Sequence, residues 1–247
     1  MVNRLLDRLS FLLFPGCCLI CQGYSQRALD LCRPCQAELP WLLIACPCCA
    51  YPVEQTGQLC GQCLIKSPSF SRCITLCHYQ SPVDGLISQF KYHQRYSYGR
   101  VMATLLGQRI DQAYQQPCHH YPLDQHALPD LIAPVPMHWR RKLSRGFNHC
   151  EQLAEQLSQQ LQRPVFNGLT RIRNSLPQQG LNAEQRRGNL RGAFVVRQPH
   201  CIQGLSIALV DDVITTGSTA EALSQLLLNA GAREVHVWSL ARTPLHE

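Results

Sequence analysis

The chain has 247 residues, of which 45% are hydrophobic and 16% charged, and a formal charge of +7. That composition excludes wholesale disorder, and the length leaves room for one full α/β domain plus a smaller module. No apolar run reaches the roughly 18 residues that a membrane-spanning helix needs, so no transmembrane segment is expected.

The N-terminal stretch MVNRLLDRLSFLLFPGCC places Leu5, Leu6, Leu9, Leu12 and Leu13 at helical spacing. Asp7 and Arg8 interrupt its apolar patch, and Pro15 stands where a signal-peptidase site would want a small residue. The pattern predicts a short amphipathic helix rather than a secretion signal, and with it a cytoplasmic protein.

Cysteines dominate the adjoining segment of the chain. Twelve of the fifteen lie before residue 78, and their spacing says more than their number. Cys18-x2-Cys21 is followed after ten residues by Cys32-x2-Cys35, and Cys46-x2-Cys49 is followed after ten residues by Cys60-x2-Cys63. The unit therefore occurs twice, with a period of 28 residues. A C-x2-C turn points two thiolates at one place, and a second turn completes a tetrahedral cage for Zn²⁺. A stretch this short and rich in Gly, Pro and Gln cannot fold on its own apolar surface, so the metal would supply the folding free energy. A disulfide framework would instead need an oxidising compartment. Sequential pairing fits the repeat, while cross-braced pairing would use the same eight residues. Cys17 and Cys48 stand beside the ligand turns as spectators, either of which could swap in as a ligand, and Cys73 and Cys77 fall in a strand-like segment as core residues. Two four-thiolate zinc centres at about −2 each would lower the net charge to about +3. The basic character is then local. The composition shift places a cysteine-rich module at 1–68 and a second domain at 69–247.

From about Phe70 the pattern becomes α/β. CITLCHY reads as a strand, VDGLISQFKY as a helix, and Tyr98–Gln115 as a longer helix with Val101, Leu105, Leu106 and Ile110 on one face. A proline-rich connection carrying Cys118, His119 and His120 comes next. LIAPVP (Leu131–Pro136) is a buried strand ended by prolines, NHCEQLAEQLSQQLQR an amphipathic helix, GAFVV and LSIALV strands, Thr219–Asn229 a helix stopped by Gly231, and EVHVWSLA a final strand. Strands alternating with helices imply a mostly parallel sheet, with ligands at the carboxyl ends of its strands. APVPMHWRRK and VDDVITTGST both fall at such ends.

The second of these reads as a phosphate cradle. Gly217 permits a tight turn, the Thr and Ser hydroxyls donate hydrogen bonds, and the N–H groups at the helix start attract an anion. No G-x4-G-K-[ST] is present, so this is not the ATP-binding loop. Paired carboxylates just before the cradle suit a ligand that carries hydroxyls beside its phosphate, such as a ribose 5-phosphate.

Four apolar residues, Asp211-Asp212, an apolar residue and then Thr-Thr-Gly-Ser-Thr resemble the PRPP-binding motif of type I phosphoribosyltransferases. The resemblance implies that Asp211 and Asp212, the catalytic candidates, take the ribose hydroxyls, and that Thr215, Thr216, Gly217, Ser218 and Thr219 take the 5-phosphate. Mg²⁺ would arrive with the pyrophosphate of PRPP. The segments APVPMHWRRKLSRGFNHCEQLA and SLPQQGLNAEQRRGNLRGAF, together with the double cysteine module, resemble the ComF family of ComFC- and GntX-like proteins over nearly the whole chain. By that resemblance Arg140, Arg145, Asn148, Gln178 and Arg186 join the PRPP site, the fold is a phosphoribosyltransferase-like parallel sheet flanked by helices behind a double zinc ribbon, and the role lies in DNA uptake or the use of DNA as a nutrient. Residue chemistry agrees for Arg140, Arg141, Lys142 and Arg145, since arginines after a strand end can grip a pyrophosphate bidentately. The 175–194 span reads as a lid that excludes water, and KYHQRYSY (Lys91–Tyr98) as a hood over the acceptor.

Two classes of function fit these expectations. One is a phosphoribosyltransferase that moves a pentosyl group from PRPP. The other is a non-catalytic PRPP- or nucleic-acid-phosphate-binding protein whose zinc module contacts single-stranded DNA or proteins of the uptake machinery.

Overall fold

The computed structural model describes residues 16–93, 95–115, 127–173 and 192–243. The expected N-terminal helix, the His119–His120 connection, and Gln178 and Arg186 in the expected lid lie outside the described residues.

The elements in chain order are α1 (Arg33–Ala37), α2 (Gly61–Ile65), β1 (Arg72–His78), α3 (Val83–His93), α4 (Tyr96–Gln115), β2 (Leu131–Pro134), α5 (Trp139–Arg145), α6 (His149–Leu161), β3 (Leu169–Arg171), β4 (Phe194–Val196), β5 (Ser206–Ile214), α7 (Ser218–Asn229) and β6 (Glu234–Arg242). Four strands form one sheet in the order β1-β6-β5-β2, every pair parallel. The alternation of strand and helix predicted that arrangement.

The period-2 pattern of β5 shows why both faces are covered. Ala208 and Val210 join Ile74, Leu76, Trp238, Leu240 and helical Val101, Leu106 and Leu153 in one apolar layer. Ile207 and Leu209 join Val235, Val237, Leu223 and Leu227 in the layer on the opposite face. A strand buried on both faces reads as a continuous apolar run, as β5 and β6 do.

Three features depart from the sequence reading. Strand β5 does not stop at Val210. It continues through the aspartates to Ile214, because β6 keeps pairing with it at Asp211–Ser239, Val213–Ala241 and Ile214–Arg242. The basic run after β2 is a short helix, α5, capped by the His138 side chain and closed by Gly146 at φ 81°. Strand β4 stands outside the main sheet and pairs antiparallel with β3, a three-residue strand too short to leave a periodic signal.

The cysteine-rich segment packs onto the sheet. The Leu42 N–H donates to the Leu76 carbonyl at 3.1 Å, the His78 N–H to the Pro40 carbonyl at 2.8 Å, and Trp41 bridges to Cys77. The outer edge of β1 is thereby covered, which removes an open template for strand pairing. Among the described residues no helix is long and apolar enough to cross a membrane.

Candidate functional site

The eight repeat cysteines form two cages. Cys18, Cys21, Cys32 and Cys35 make one, and Cys46, Cys49, Cys60 and Cys63 the other, with the sulfurs of each within 4.8 Å of one another. The pairing is therefore sequential. Each cage closes the same way: Cys32 and Cys60 cap α1 and α2, and one helical turn brings Cys35 and Cys63 round to the same side. A tetrahedral ion with Zn–S bonds of about 2.3 Å sets its ligands about 3.8 Å apart. The Cys21 and Cys32 sulfurs stand 3.8 Å apart and those of Cys49 and Cys60 3.5 Å.

The electrostatics fit the same ion. Burial pushes the Cys18 thiol up, but the N–H groups of Cys32, Cys21 and Ile20 outweigh it and bring it down to about 6. Burial and the neighbouring thiols of Cys32, Cys21 and Cys18 push Cys35 up to about 12. In the second cage the hydrogen bond with Cys49 takes Cys46 down to about 4, and the same contact, with burial, drives Cys49 up. Thiolate and thiol thus crowd together, a state that a divalent cation resolves by displacing the remaining protons. Zinc held there would be structural, since all four positions are protein sulfurs. Cys73 and Cys77 are buried in β1 as expected, each pushed up to about 12 by burial.

The acidic pair sits at the carboxyl end of β5. Asp212 is buried, and its Oδ2 receives both the Lys91 ammonium from α3 and the His149 Nε2, the latter at 2.9 Å. His149 is the first residue of α6. Burial, then Lys91 and Arg145, pull its pKa down to about 3, so the ring beside the carboxylate is neutral. His149, Cys150 and Asp212 could in principle converge on a metal, but Lys91 already takes the place of a cation at Asp212. Asp211 is half-buried. Its Oδ1 accepts the Asp212 N–H at 2.9 Å and the Cys150 thiol at 3.7 Å. Burial raises its pKa to about 6 against the opposing pull of Lys91, Cys150 and Arg171. Repulsion between adjacent aspartates is thus settled by division: one is paired with an internal cation, and the other holds its proton more tightly.

Beyond Ile214 the chain turns at Thr215, Thr216 and Gly217 into α7. Gly217 takes φ 76° at the N-cap, a left-handed conformation that favours glycine. The Thr216 and Ser218 hydroxyls lie 2.8 Å apart. The first turn of a helix leaves N–H groups without intrahelical acceptors and carries the positive end of the dipole. Thr215 to Thr219 are all half-buried, as suits an anion cradle.

The remaining expected residues divide. The Arg145 guanidinium lies 4.6 Å from the Tyr92 ring centroid and donates to the Tyr92 hydroxyl at 3.3 Å, and its charge reaches Lys91 and His149 beside the acidic pair. Arg140 is exposed and lies over Trp139 at 5.3 Å, on the solvent side of α5. Asn148 is buried as the N-cap of α6, accepting the Cys150 N–H at 3.1 Å and donating to the Val135 carbonyl at 3.3 Å. A cavity of about 280 Å³ beside β2, lined by Pro134, Pro136, Asn148, Glu151, Glu155 and Phe166, includes the expected site residue Asn148 but neither aspartate of the pair and no residue of the cradle.

Sequence reasoning missed four members of this site: Lys91 as the partner of Asp212, His149, Arg171 within electrostatic reach of Asp211, and Arg242. For Arg242 a signal existed, an arginine closing an otherwise apolar strand. For Lys91 none did, because its partner lies far along the chain.

A parallel sheet with an acid pair and a phosphate-type cradle at its carboxyl end, behind two tetrathiol cages, defines a phosphoribosyltransferase-like fold with a double zinc ribbon. The comparisons agree. A family model described as a double zinc ribbon domain matches residues 9–64, and one described as a phosphoribosyl transferase domain matches residues 148–245. Competence protein F of Haemophilus influenzae is 35% identical over 91% of this chain and 96% of its own. DNA utilization protein YhgH of Salmonella typhimurium is 34% identical over 93% and 98%, and competence protein ComFC of Bacillus subtilis is 24% identical over 92% and 95%. Among solved structures, the glutamine PRPP amidotransferase from B. subtilis overlaps 61% of this chain and 30% of its own at 19% identity and a TM-score of 0.38. The chain belongs to the ComF family of competence and DNA-utilization proteins.

Proposed function

We propose that the chain binds Mg-PRPP at the carboxyl end of β5 and serves, from the cytoplasm, the uptake of DNA or its use as a nutrient. The observation that carries this reading is the continuity of the site: the strand holding Asp211 and Asp212 runs directly into the Thr215–Thr219 turn, with Gly217 at φ 76° opening a helix. Asp211 and Asp212 receive the ribose hydroxyls, and the turn receives the 5-phosphate through hydroxyls and helix N–H groups. Arg145, whose charge reaches Lys91 and His149, approaches the pyrophosphate, and Arg140, Gln178 and Arg186 are the further PRPP contacts that the family resemblance implies. Magnesium, brought with the substrate, neutralises charge on the leaving pyrophosphate. The zinc-ribbon module at 1–68 serves as scaffold for the transferase-like domain at 69–247.

Transfer of the pentosyl group to a nucleobase or amine is the reaction this arrangement suits. The leaving group departs through an oxocarbenium-like transition state, so the work is electrostatic and needs no protein nucleophile. A second reading, a non-catalytic phosphate-binding role on single-stranded DNA, draws support from two exposed aromatic–arginine pairs. Trp139 is 57% exposed with Arg140 over its ring, and Tyr92 is 60% exposed with Arg145 over its ring, and unpaired bases can stack on such pairs.

Calorimetric titration with Mg-PRPP tests the core of the proposal. Heat is expected from the wild type and none from Asp211→Asn/Asp212→Asn, and a silent wild type would sink both versions that invoke PRPP. Pyrophosphate release across a panel of bases then separates enzyme from binder. Single-stranded DNA binding at two salt concentrations tests the second reading, because phosphate contacts weaken as salt rises.

A further inference from the structure

The residue that shapes the phosphate turn from behind is Arg242, the last of β6. It is 2% exposed. Its guanidinium donates to the carbonyl of Ile214 at 3.2 Å and to that of Thr215, the two residues that lead into the turn. No described carboxylate forms an ion pair with it, and its Nε is buried without a hydrogen-bond partner. A buried, unpaired guanidinium is costly unless negative charge lies nearby.

The second ribbon lies against this guanidinium. The ring of Tyr51 lies under the guanidinium, 5.8 Å from centroid to Cζ. Tyr51 is fixed into the Cys46-x2-Cys49 turn at both ends of its backbone: its carbonyl accepts the Cys46 N–H at 2.7 Å, and its own N–H is directed at the Cys49 sulfur. Tyr51 thus carries the contact between the guanidinium and the Cys46-x2-Cys49 turn. A four-thiolate zinc centre there would carry a net charge of about −2, a counter-charge for a guanidinium that pairs with no described carboxylate.

A second tie runs in parallel. Glu221, in the first turn of α7, accepts the Ser69 N–H at 2.7 Å and the Ser69 hydroxyl at 2.8 Å, just past the end of the second ribbon. The segment from Ile214 to Glu221 is thus held on one side through Arg242 and Tyr51 of the ribbon, and on the other by Ser69 just beyond it. The first ribbon makes different contacts: Cys18 and Leu31 pack with Leu76, Met102 and Leu106, and Asp30 pairs with Arg100 of α4 at 2.5 Å.

We infer that the second ribbon is a working part of the phosphate site, with Arg242 as the positioning residue that transmits the state of the Cys46–Cys63 cage to the Thr215–Thr219 turn. The first ribbon has no such role. Loss of the ion from the second cage frees Tyr51 and slackens the turn, whereas loss from the first leaves the turn in place. This rests on the PRPP reading only for its meaning, because the coupling itself can be measured without ligand.

The test compares Tyr51→Leu, Tyr51→Phe, Cys60→Ser and Cys32→Ser in the full-length chain, with zinc per chain, amide exchange over residues 214–223, and Mg-PRPP titration as readouts. Tyr51→Leu is expected to keep both zinc ions yet speed exchange in that segment and weaken Mg-PRPP binding by about tenfold, while Tyr51→Phe restores both. Cys60→Ser is expected to lose one zinc ion and loosen the segment, and Cys32→Ser to lose one and leave it unchanged. Unchanged exchange in Tyr51→Leu, or equal loosening by the two cysteine variants, would overturn the inference. Should a cysteine variant fail to fold, the Tyr51 pair still decides. A wild type that binds no Mg-PRPP removes the proposed function, while the exchange data still judge the coupling.

Discussion

Lys91, His149 and Asp212 cluster at the end of β5, where one carboxylate oxygen faces a half-buried ammonium and a buried imidazole. Removing one member of such a group leaves the others unpaired, which costs about 3–5 kcal/mol when a buried ion pair is broken. Lys91→Met should therefore lower unfolding stability by about 3 kcal/mol in urea titration, while a solvent-facing change such as Lys142→Met should lower it by less than about 1 kcal/mol. His149 and the adjoining Asp211 dictate a pH response. His149 has its folded pKa depressed to about 3 from 6.5, so the unfolded chain binds more protons between those values and stability falls as pH drops. Asp211 has its folded pKa raised to about 6 from 3.8, so between those values the folded chain binds more protons and stability rises as pH drops. The two oppose each other between about pH 4 and pH 6. Asp211→Asn removes the opposition, and its stability should then fall by about 1.4 kcal/mol per pH unit across that window, as read by chemical denaturation at several pH values. Wild-type Mg-PRPP affinity should weaken below pH 6, where Asp211 takes up its proton. The aspartates were legible in sequence because they sit inside a continuous motif. Their partners were not, since α3 and α6 meet the end of β5 only through the parallel crossover connections.

At the scale of elements, the turn between β5 and α7 depends on one backbone angle. An alanine at Gly217 must hold φ near +76°, a strain of roughly 1–2 kcal/mol. Gly217→Ala is expected to lower the melting temperature by a few degrees and to weaken Mg-PRPP binding at least tenfold by misaligning the N–H groups, as calorimetry and titration would show. If binding survives unchanged, the anion lies elsewhere. The elements themselves were legible in proportion to their length. Helices α4 and α6 and strands β5 and β6 were long enough for apolar periodicity to emerge, whereas α5 has seven residues and β3 has three. Strand β5 outran its apolar stretch because β6 continued to offer hydrogen-bond partners, so tertiary pairing overrode the polarity of two aspartates.

At the scale of the molecule, the ribbons and the sheet share one interior. Leu42 of the cysteine-rich segment packs with Phe70, Val237 and Leu223, while Cys18, Leu31 and Leu39 pack with Leu76 and Met102. Apolar packing therefore crosses the expected 68/69 boundary. A 69–247 fragment should expose the edge of β1 and the apolar surface beneath the ribbons, and is expected to aggregate or melt well below the intact chain in size-exclusion and thermal measurements. A monodisperse fragment with an unchanged melting temperature would show that the two parts are energetically independent. The intact protein should carry two zinc ions by elemental analysis, and chelation should reduce its stability, because metal binding in such cages is folding free energy.

The sequence by itself determined the composition of the cages, the order of the α/β elements and the place of the phosphate-type turn, because each is encoded by residues close together in the chain: a C-x2-C turn, a helical stripe, an acid pair before a glycine. Tertiary structure alone decided that the cages pair sequentially, that Asp212 is neutralised by Lys91 beside an uncharged His149, and that Arg242 reaches both Tyr51 of the second ribbon and the Ile214 carbonyl that leads into the turn. Those relations join residues distant in sequence, and their partners are chosen by how strands and helices stack rather than by any local pattern.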